Sequence, residues 1–510
     1  MRNTSSKIKI IGLLSLVILS LATSAQQLQP AGIFTDHMVL QRDTDVPVWG
    51  KSTPGEKVTV TFAGQTKTTK AGNDGKWMVR LDPLEASSQG RDMTITGKSA
   101  VTLVDVLVGE VWICSGQSNM QFGVSNVPEV RGLVPFANNI RSFEVKRTVA
   151  LEAQETLSGE WKNTHPASAV AFSFAYFLND LTNMPVGIIH ASWGSSSIEA
   201  WMPRDMTETL PHFKTIMEEF DRDTIRQTRI REILKAPNGW TRQDDVYLRR
   251  QPNILYNGMI KPLVPYAVRG LVWYQGERNT RYLSGMPAVT KENWFHRVAG
   301  MKEYGEVLTQ WIGRYREEWQ NDEMNFMIVM LPGYGKGTVS QPAIDPEDPA
   351  AESWAWMRES QMEALDLPHT SVINTIDLGD VNNVHPKDKL PIGQRGALLA
   401  AKNMSEQDIL ASGPMMSKVI MLDNQLVVHF DNATGLKTVN GRAPTGFWIA
   451  DNSKKWERAD SRIEGERVIL TARNIAKPIY VRYAFAGKPE VNLVNAGELP
   501  AYPFRTDDWE

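Results

Sequence analysis

The sequence predicts an α/β protein: a central domain with a three-layer arrangement around a parallel sheet, flanked on each side by an all-β module. Between about residues 108 and 404, short apolar stretches typical of strands alternate with stretches of helical periodicity. Residues 26–107 and 405–510 instead show two-residue periodicity, which is typical of antiparallel strands. At 510 residues the chain is long enough for several domains of this kind.

Residues 1–25 have the composition of a secretory signal peptide. Basic residues precede an apolar stretch at 10–22, and Thr23, Ser24 and Ala25 offer small residues for cleavage. The apolar stretch is too short to span a bilayer, so we expect no stable membrane insertion after cleavage. The mature protein is therefore expected to be exported, either to the periplasm or into the medium. Its only cysteine, Cys114, permits no internal disulfide.

The first module is predicted from residues 26–107, where alternation is clearest at 58–62 and 76–81. The last is predicted from 405–510, with alternating stretches such as 425–430 and 467–470. Between them, strands and helices of the α/β domain alternate along the chain. The predicted strands are 186–191, 268–274, 326–331 and 371–376, and the predicted helices are 167–181, 304–319, 354–365 and 392–403.

A charged and mostly helical stretch, residues 205–250, interrupts this alternation. We expect it to be an insertion that lies over or beside the functional site. The overall charge excludes some partners, because 55 basic and 58 acidic residues give a net charge of −3 without long runs of either sign. A nucleic acid or an anionic membrane is therefore not expected as a partner. The 16 tryptophans favour a carbohydrate ligand, since aromatic rings suit the faces of sugars.

The stretch from Val108 to Asn119 contains the first candidate for chemistry. An apolar run ends abruptly in a Ser-Gly-Gln-Ser-Asn turn, which predicts a buried strand followed by a tight turn. Such a turn places the Ser118 hydroxyl at the sheet edge where α/β proteins bind ligands. Serine becomes a strong nucleophile only when a neighbouring base takes its proton. The G-x-S-x-G pattern of many hydrolases is not present, so the base must be sought elsewhere in the sequence.

Among eight histidines, His385 is the best placed to be that base. It follows the predicted strand 371–376 and a polar turn, and precedes the last predicted helix, so it should lie at the same sheet edge as Ser118. His190 lies within an apolar strand and is expected to be a satisfied core residue. A carboxylate should orient the imidazole, and Asp377, Asp380 and Glu277 all remain candidates.

The reaction of an ester at Ser118 also needs hydrogen-bond donors for a tetrahedral oxyanion. Four candidates follow predicted strands: the backbone amides of Ser118 and Gly194 and the side-chain amides of Gln275 and Asn279. No H-E-x-x-H motif or similar ligand spacing occurs, so we expect neither a metal nor another cofactor. The combination predicts acyl-transfer chemistry.

Four motifs carry a specific resemblance: Gly116–Met120 (GQSNM), 255–265 (LYNGMIKPLVP), Trp273–Glu277 (WYQGE) and His385–Lys387 (HPK). Together they resemble the sialate O-acetylesterase family of SGNH hydrolases, over roughly residues 30–509. The resemblance implies a flavodoxin-like esterase domain with β modules, and a metal-free serine hydrolase that removes acetyl groups from sugar hydroxyls. It also implies that Ser118 is the nucleophile and His385 the base.

Two departures from the wider pattern concern the site. SGNH enzymes often have Asp three residues before the histidine, but position 382 is Asn here. Resemblance to related acetylxylan esterases instead implies Glu277 as the third member, and we favour it over Asp380. The family commonly has Ser before Asn279, where this chain has Arg278. That cation is a candidate contact for a substrate carboxylate, with a solvated arginine as the alternative.

Three functions therefore stay open at the level of sequence. The first is an O-acetylesterase acting on sialate, with the 9-O-acetyl group as the named family substrate. The second keeps the chemistry but changes the sugar to acetylated xylan or another glycan. The third is a non-catalytic glycan-binding protein, which would have no need for Ser118, His385 and Glu277 together. The sequence does not indicate the oligomeric state.

Overall fold

The computed structural model describes residues 27–236, 239–284, 298–404 and 409–509. The predicted signal peptide, 1–25, lies outside the described residues. Within the described ranges, no helix is both long and apolar enough to cross a membrane.

The N-terminal part is built of short strands whose alternating side chains fill a small core. Three of them, β1, β3 and β6, form an antiparallel sheet, and β4 pairs with β5 and β7. The strands are β1 (Gln29–Pro30), β2 (Val39–Gln41), β3 (Val46–Lys51), β4 (Lys57–Phe62), β5 (Gln65–Lys70), β6 (Lys76–Leu81), β7 (Ser87–Thr96) and β8 (Ala100–Gly116).

The longest of these strands, β8, belongs to two parts of the molecule. Its first half pairs with β7 in antiparallel fashion, and its second half enters the central sheet. The boundary expected at 107/108 therefore falls inside a continuous strand. The apolar core of the N-terminal strands is also continuous with that of the α/β part.

The central sheet adds six strands to β8: β9 (Ile140–Glu144), β10 (Trp161–Lys162), β11 (Val186–Ser192), β12 (Gly270–Tyr274), β13 (Asn325–Val329) and β14 (Thr370–Ile373). Their spatial order is β10-β9-β11-β8-β12-β13-β14. All neighbours pair in parallel except β10, which pairs with β9 in antiparallel fashion. With the N-terminal strands attached through β8, the sheet is mixed as a whole. Strands β9 and β10 were not predicted from the sequence.

In chain order, helices α1 to α8 of the described residues lie between strands of the central sheet, α9 follows its last strand, and α4 to α6 lie within residues 205–250. Helix α3 packs against α9, and the two contact β11 and β14 respectively. The helices are α1 (Ser118–Gln121), α2 (Pro128–Arg131), α3 (Ala169–Thr182), α4 (Pro211–Arg222), α5 (Thr224–Leu234), α6 (Arg242–Leu248), α7 (Tyr304–Trp319), α8 (Ala355–Met362) and α9 (Leu390–Met404). The α/β class with additional β modules is therefore confirmed.

The C-terminal part is all β and has its own apolar core. Its larger sheets have the orders β15-β16-β21-β20 and β19-β18-β22-β24, and β17 pairs with β23. The strands are β15 (Met415–Leu422), β16 (Gln425–Asp431), β17 (Lys437–Thr438), β18 (Phe447–Ala450), β19 (Glu457–Arg458), β20 (Asp460–Glu464), β21 (Arg467–Thr471), β22 (Tyr480–Tyr483), β23 (Leu493–Val494) and β24 (Phe504–Arg505).

Candidate active site

Ser118 lies just beyond the carboxyl end of β8, as the first residue of α1. Its position depends on Gly116, whose backbone adopts φ +135°. A Cβ atom there would lie 2.2 Å from the Tyr274 carbonyl oxygen, so only glycine lets β8 and β12 approach this closely. The backbone amide of Gln117 donates to the same Tyr274 oxygen at 3.0 Å. The neighbouring strand thus fixes the turn that presents the half-buried Ser118 hydroxyl.

His385 reaches this hydroxyl from the loop that follows β14. Its Nε2 atom lies 2.8 Å from Ser118 Oγ, although the two residues are 267 positions apart. Asn383 holds the histidine backbone on both sides, because its side chain accepts from the His385 amide and donates to the His385 carbonyl, each at 3.0 Å. The imidazole also stacks against Phe122, with ring centroids 6.5 Å apart. This geometry allows a proton to pass directly from serine to histidine.

The surroundings of His385 favour the neutral ring. Burial lowers the pKa of His385 below its usual value, and the positive charge of Lys389 lowers this pKa further. A neutral imidazole at neutral pH is the form that accepts a proton. The site therefore suits a base rather than a permanently charged histidine.

Two of the three candidate carboxylates lie on the His385 side of the site but point elsewhere. Asp380 is exposed, and its Oδ1 atom accepts hydrogen bonds from two amides of its own turn at 2.7 and 2.8 Å. Asp377 forms a bidentate ion pair with Arg395, at 2.8 and 2.7 Å. Neither is an ion-pair partner of His385.

Glu277 is half-buried just beyond the end of β12, and it forms no hydrogen bond or ion pair with the imidazole of His385. Its Oε1 atom accepts a hydrogen bond from Asn119 Nδ2 at 2.5 Å, whereas its Oε2 atom is buried and has no hydrogen-bond partner among the described residues. Burial raises the pKa of Glu277 to about 7, against the opposing effects of Asn119 and Lys389. Across the part of the chain that the structure describes, no carboxylate forms an ion pair with His385. The third member of a triad stays a prediction.

Two of the four predicted oxyanion donors lie together at the serine. The amide of Ser118 is at the first position of α1, where no intrahelical acceptor exists. Gly194 is close by, since a Cβ atom on it would lie 3.1 Å from Ser118 Cβ. The Gly194 amide donates to Gln121 Oε1 at 2.9 Å. An ester oxygen must displace the Gln121 oxygen to use that amide.

The other two predicted donors belong to a buried network behind the turn. Gln275 Nε2 donates to Asn279 Oδ1 at 3.0 Å and to the Ser196 carbonyl at 3.1 Å. Asn279 Nδ2 donates to Glu199 Oε2 at 3.3 Å, and both amide side chains are 0% exposed. The hydrogen bonds of Gln275 and Asn279 therefore brace the ends of β11 and β12 against each other.

Arg278 is mostly buried beside the nucleophile turn, and its backbone amide donates to Gln117 Oε1 at 3.2 Å. Burial lowers the pKa of Arg278 to about 9, and the charges of Arg250 and Arg281 lower it further. Glu199 and Tyr282 act in the opposite direction, so the three guanidinium groups form a concentration of positive charge that these two groups partly offset. Such a concentration favours an anionic group on a bound molecule.

The helical insertion packs against the loop that carries Gly194. Trp193 Nε1 donates to Asp245 Oδ1 at 3.1 Å, and the Trp193 ring stacks on Trp240 with centroids 6.3 Å apart. The insertion thus contacts the loop that carries Gly194, and its position over or beside the site stays a prediction.

Sequence reasoning missed three side chains at this site: Asn119, Gln121 and Lys389. Asn119 and Gln121 stand within or next to the GQSNM motif, so their proximity to Ser118 was a usable signal. Lys389 gave no such signal, because a lysine in a polar loop is usually solvated, yet here it is 0% exposed. Among the described residues, no group of three His, Cys, Asp or Glu side chains is arranged to hold a metal ion.

Comparison with known proteins identifies a family of similar sequences. Residues 108–402 match the family described as carbohydrate esterase, sialic acid-specific acetylesterase. The sialate O-acetylesterase of Mus musculus is 26% identical, with 94% of each chain covered, and that of Homo sapiens is 25% identical over 77% of this chain and 74% of its own. A crystal structure of a carbohydrate acetylesterase from Xanthomonas citri is 31% identical and superposes with a TM-score of 0.78, covering 94% of this chain and all of the other.

Proposed function

The chain belongs to the sialic acid-specific acetylesterase family of carbohydrate esterases, which are carboxylic ester hydrolases, and on this premise we propose that it removes O-acetyl groups from sialate through a serine mechanism. The observation that carries the proposal is the 2.8 Å contact between Ser118 Oγ and His385 Nε2 at the carboxyl edge of the sheet. We also propose that the central domain has the three-layer arrangement of SGNH hydrolases.

The reaction begins when Ser118 Oγ attacks the acetyl carbonyl carbon while His385 Nε2 takes the hydroxyl proton. The oxyanion that forms accepts hydrogen bonds from the Ser118 and Gly194 amides, once the substrate has displaced Gln121 from Gly194. Collapse breaks the bond to the sugar oxygen, which takes the proton from His385. A water molecule then attacks the acetyl-enzyme with His385 again as base, releasing acetate and restoring Ser118.

Glu277 is proposed as the carboxylate that supports His385, in preference to Asp380. It is the less exposed of the two, because Glu277 is half-buried and Asp380 is exposed, and a negative charge that is less screened by water stabilises a nearby imidazolium more strongly. Its hydrogen bond to Asn119 links it to the residue next to the nucleophile. Because Glu277 forms no hydrogen bond with the imidazole, we propose that it supports His385 through its hydrogen bond to Asn119.

Sialate is proposed as the sugar because of the arginines beside the turn. Sialate carries a carboxylate, whereas xylan esters are neutral, and Arg278 with Arg250 and Arg281 supplies positive charge at the site. Arg278→Gln should lower kcat/KM for an O-acetyl sialate by about tenfold while leaving 4-nitrophenyl acetate nearly unchanged. Equal losses on both esters would contradict a carboxylate contact.

The decisive assay measures acetate released from 9-O-acetyl-N-acetylneuraminic acid and from acetylated xylan, with Ser118→Ala as the matched control. We expect turnover of the sialate ester by the parent only. Preference for acetylated xylan would show that the substrate is xylan rather than sialate, with the same esterase chemistry. Binding of both glycans without acetate release, and no labelling by a fluorophosphonate, would favour the non-catalytic alternative.

The protein is also proposed to be exported, with residues 1–25 removed before Gln26. N-terminal sequencing of protein recovered from the periplasm or medium of an expression host tests this. A retained Met1 would contradict it.

A further inference from the structure

Asn119 joins three separate segments of the active site through one side chain. Its Nδ2 atom donates to Glu277 Oε1 at 2.5 Å and to the Val384 carbonyl at 3.0 Å. Its Oδ1 atom accepts from Lys389 Nζ at 2.7 Å. The carboxamide therefore ties the helix that begins with Ser118 to the residues after β12 and to the loop that carries His385, directly before His385 and at Lys389.

The charges on the two sides of Asn119 match the polarity of its carboxamide. The ammonium of Lys389 faces the carboxamide oxygen, and the carboxylate of Glu277 faces the carboxamide nitrogen. Lys389 and Asn119 are both 0% exposed, so neither can exchange this arrangement for water. Charge-assisted hydrogen bonds of this kind are stronger than neutral ones and hold their partners in a fixed geometry.

The His385 ring needs such a support, because no described carboxylate holds it. Its backbone is fixed by Asn383, and the preceding residue, Val384, is fixed by Asn119. Loss of the second anchor would let the loop shift against the nucleophile. A displacement of about 1 Å between reacting groups can cost on the order of 10² in rate.

We propose that Lys389 and Asn119 are positioning residues for the reaction: Asn119, clamped between Lys389 and Glu277, keeps the His385 imidazole within reach of the Ser118 hydroxyl. The inference rests on the proposed serine mechanism and goes beyond it, since it assigns the alignment of the base to a lysine–asparagine pair.

Lys389 also acts on His385 through its charge. The groups that face Lys389 are Glu277 and the Tyr274 ring from the end of β12, the Phe122 ring next to α1, and Asp388 and His385 from its own loop. Burial lowers the pKa of Lys389 to about 7, so below this pH Lys389 carries a positive charge that disfavours a second positive charge on the imidazole and lowers the pKa of His385. Removal of the amine must therefore raise that pKa. The acid limb of kcat/KM, which reports protonation of the free base, should move to higher pH.

The test compares Lys389→Met with Lys387→Met, an exposed lysine two residues away in the same loop. With 4-nitrophenyl acetate, Lys389→Met should lose on the order of 10² in kcat with little change in KM, and its acid limb should move upward. Lys387→Met should match the parent in both. Fluorophosphonate labelling of Ser118 should slow in parallel with kcat.

Removal of one partner from a buried charged pair can prevent folding, so Lys389→Met combined with Glu277→Gln provides a second variant. It removes both charges and should fold, as judged by melting temperature, with a loss in kcat no larger than that of the more impaired single variant. Full activity in this double variant, or an unshifted acid limb in Lys389→Met, would overturn the inference. If Ser118→Ala itself stays active, the serine mechanism fails instead, and the two failures are distinguishable.

Discussion

Two serine–histidine pairs lie near the carboxyl ends of the neighbouring parallel strands β8 and β11. Their serine–histidine distances are similar, but their surroundings differ. In the first, Ser118 Oγ is 2.8 Å from His385 Nε2. In the second, Ser192 Oγ is 2.7 Å from His190 Nε2, and His190 Nδ1 is 2.6 Å from Glu144 Oε2. Judged by contacts alone, the second pair is the more complete triad.

The surroundings reverse that judgement. Ser192 and His190 are 4% and 6% exposed, and both belong to the regular part of β11, where backbone amides are used in strand pairing. Ser118 and His385 instead come from a turn and a loop and are half-buried, with the Gly194 amide beside them. An active site therefore needs an accessible hydroxyl and amide donors beside it, and a serine–histidine–carboxylate chain alone is insufficient.

The strongest test removes each hydroxyl in turn. Ser118→Ala should lower kcat on 4-nitrophenyl acetate by about 10⁴ to 10⁶, because the nucleophile is lost, whereas Ser192→Ala should stay within a few fold of the parent. His385→Ala should resemble Ser118→Ala, and the double variant should be little worse. A severe loss in Ser192→Ala with Ser118→Ala nearly intact would exchange the roles of the two pairs.

The next prediction concerns a carboxylate for the half-buried Ser118–His385 pair, since no described carboxylate forms an ion pair with His385. Glu277→Gln should lower kcat by about 10² or more with a modest change in KM, because it weakens the charged support that reaches the base through Asn119. Asp380→Asn should cost at most a few fold, since its oxygen binds turn amides. Steady-state kinetics of the two variants side by side decide between them, and the reverse order would make Asp380 the partner.

A smaller effect is expected at the buried pair, and it concerns stability rather than rate. His190→Phe removes the hydrogen bonds to Glu144 and Ser192 from a buried position, which should lower the free energy of unfolding by about 1–3 kcal/mol. Measurement by urea denaturation should show this loss, while kcat per folded molecule stays near the parental value. If activity falls as strongly as in His385→Ala, the buried pair takes part in the chemistry.

The smallest effect on activity is expected when metal ions are removed. Neither pair has a cluster of ligands beside it among the described residues, and the serine mechanism uses no metal ion. Dialysis against EDTA should leave acetate release unchanged. Activity that disappears with the chelator and returns with a divalent cation would reject the mechanism for both pairs.

Much of the fold could be predicted from the sequence, because periodicity is a local property. Helix α7 has the predicted bounds, and α3, α9, β11 and β16 differ from theirs by one or two residues. The short strands β9 and β10 were missed, since neither has an apolar stretch long enough to signal a strand. The continuity of β8 through two sheets was missed as well, because its partners are distant in the chain.

By itself the sequence determined the alternation of strands and helices, the turn that carries Ser118 and the choice of His385 as its partner, since each depends on neighbouring residues or a short motif. The tertiary structure decided which way the remaining side chains point. It directs Gln275 and Asn279 into a buried network, separates Glu277 from the imidazole, and places Lys389 in the site. These outcomes depend on contacts between residues far apart in the chain, and local patterns of polarity do not encode which distant group a side chain will meet.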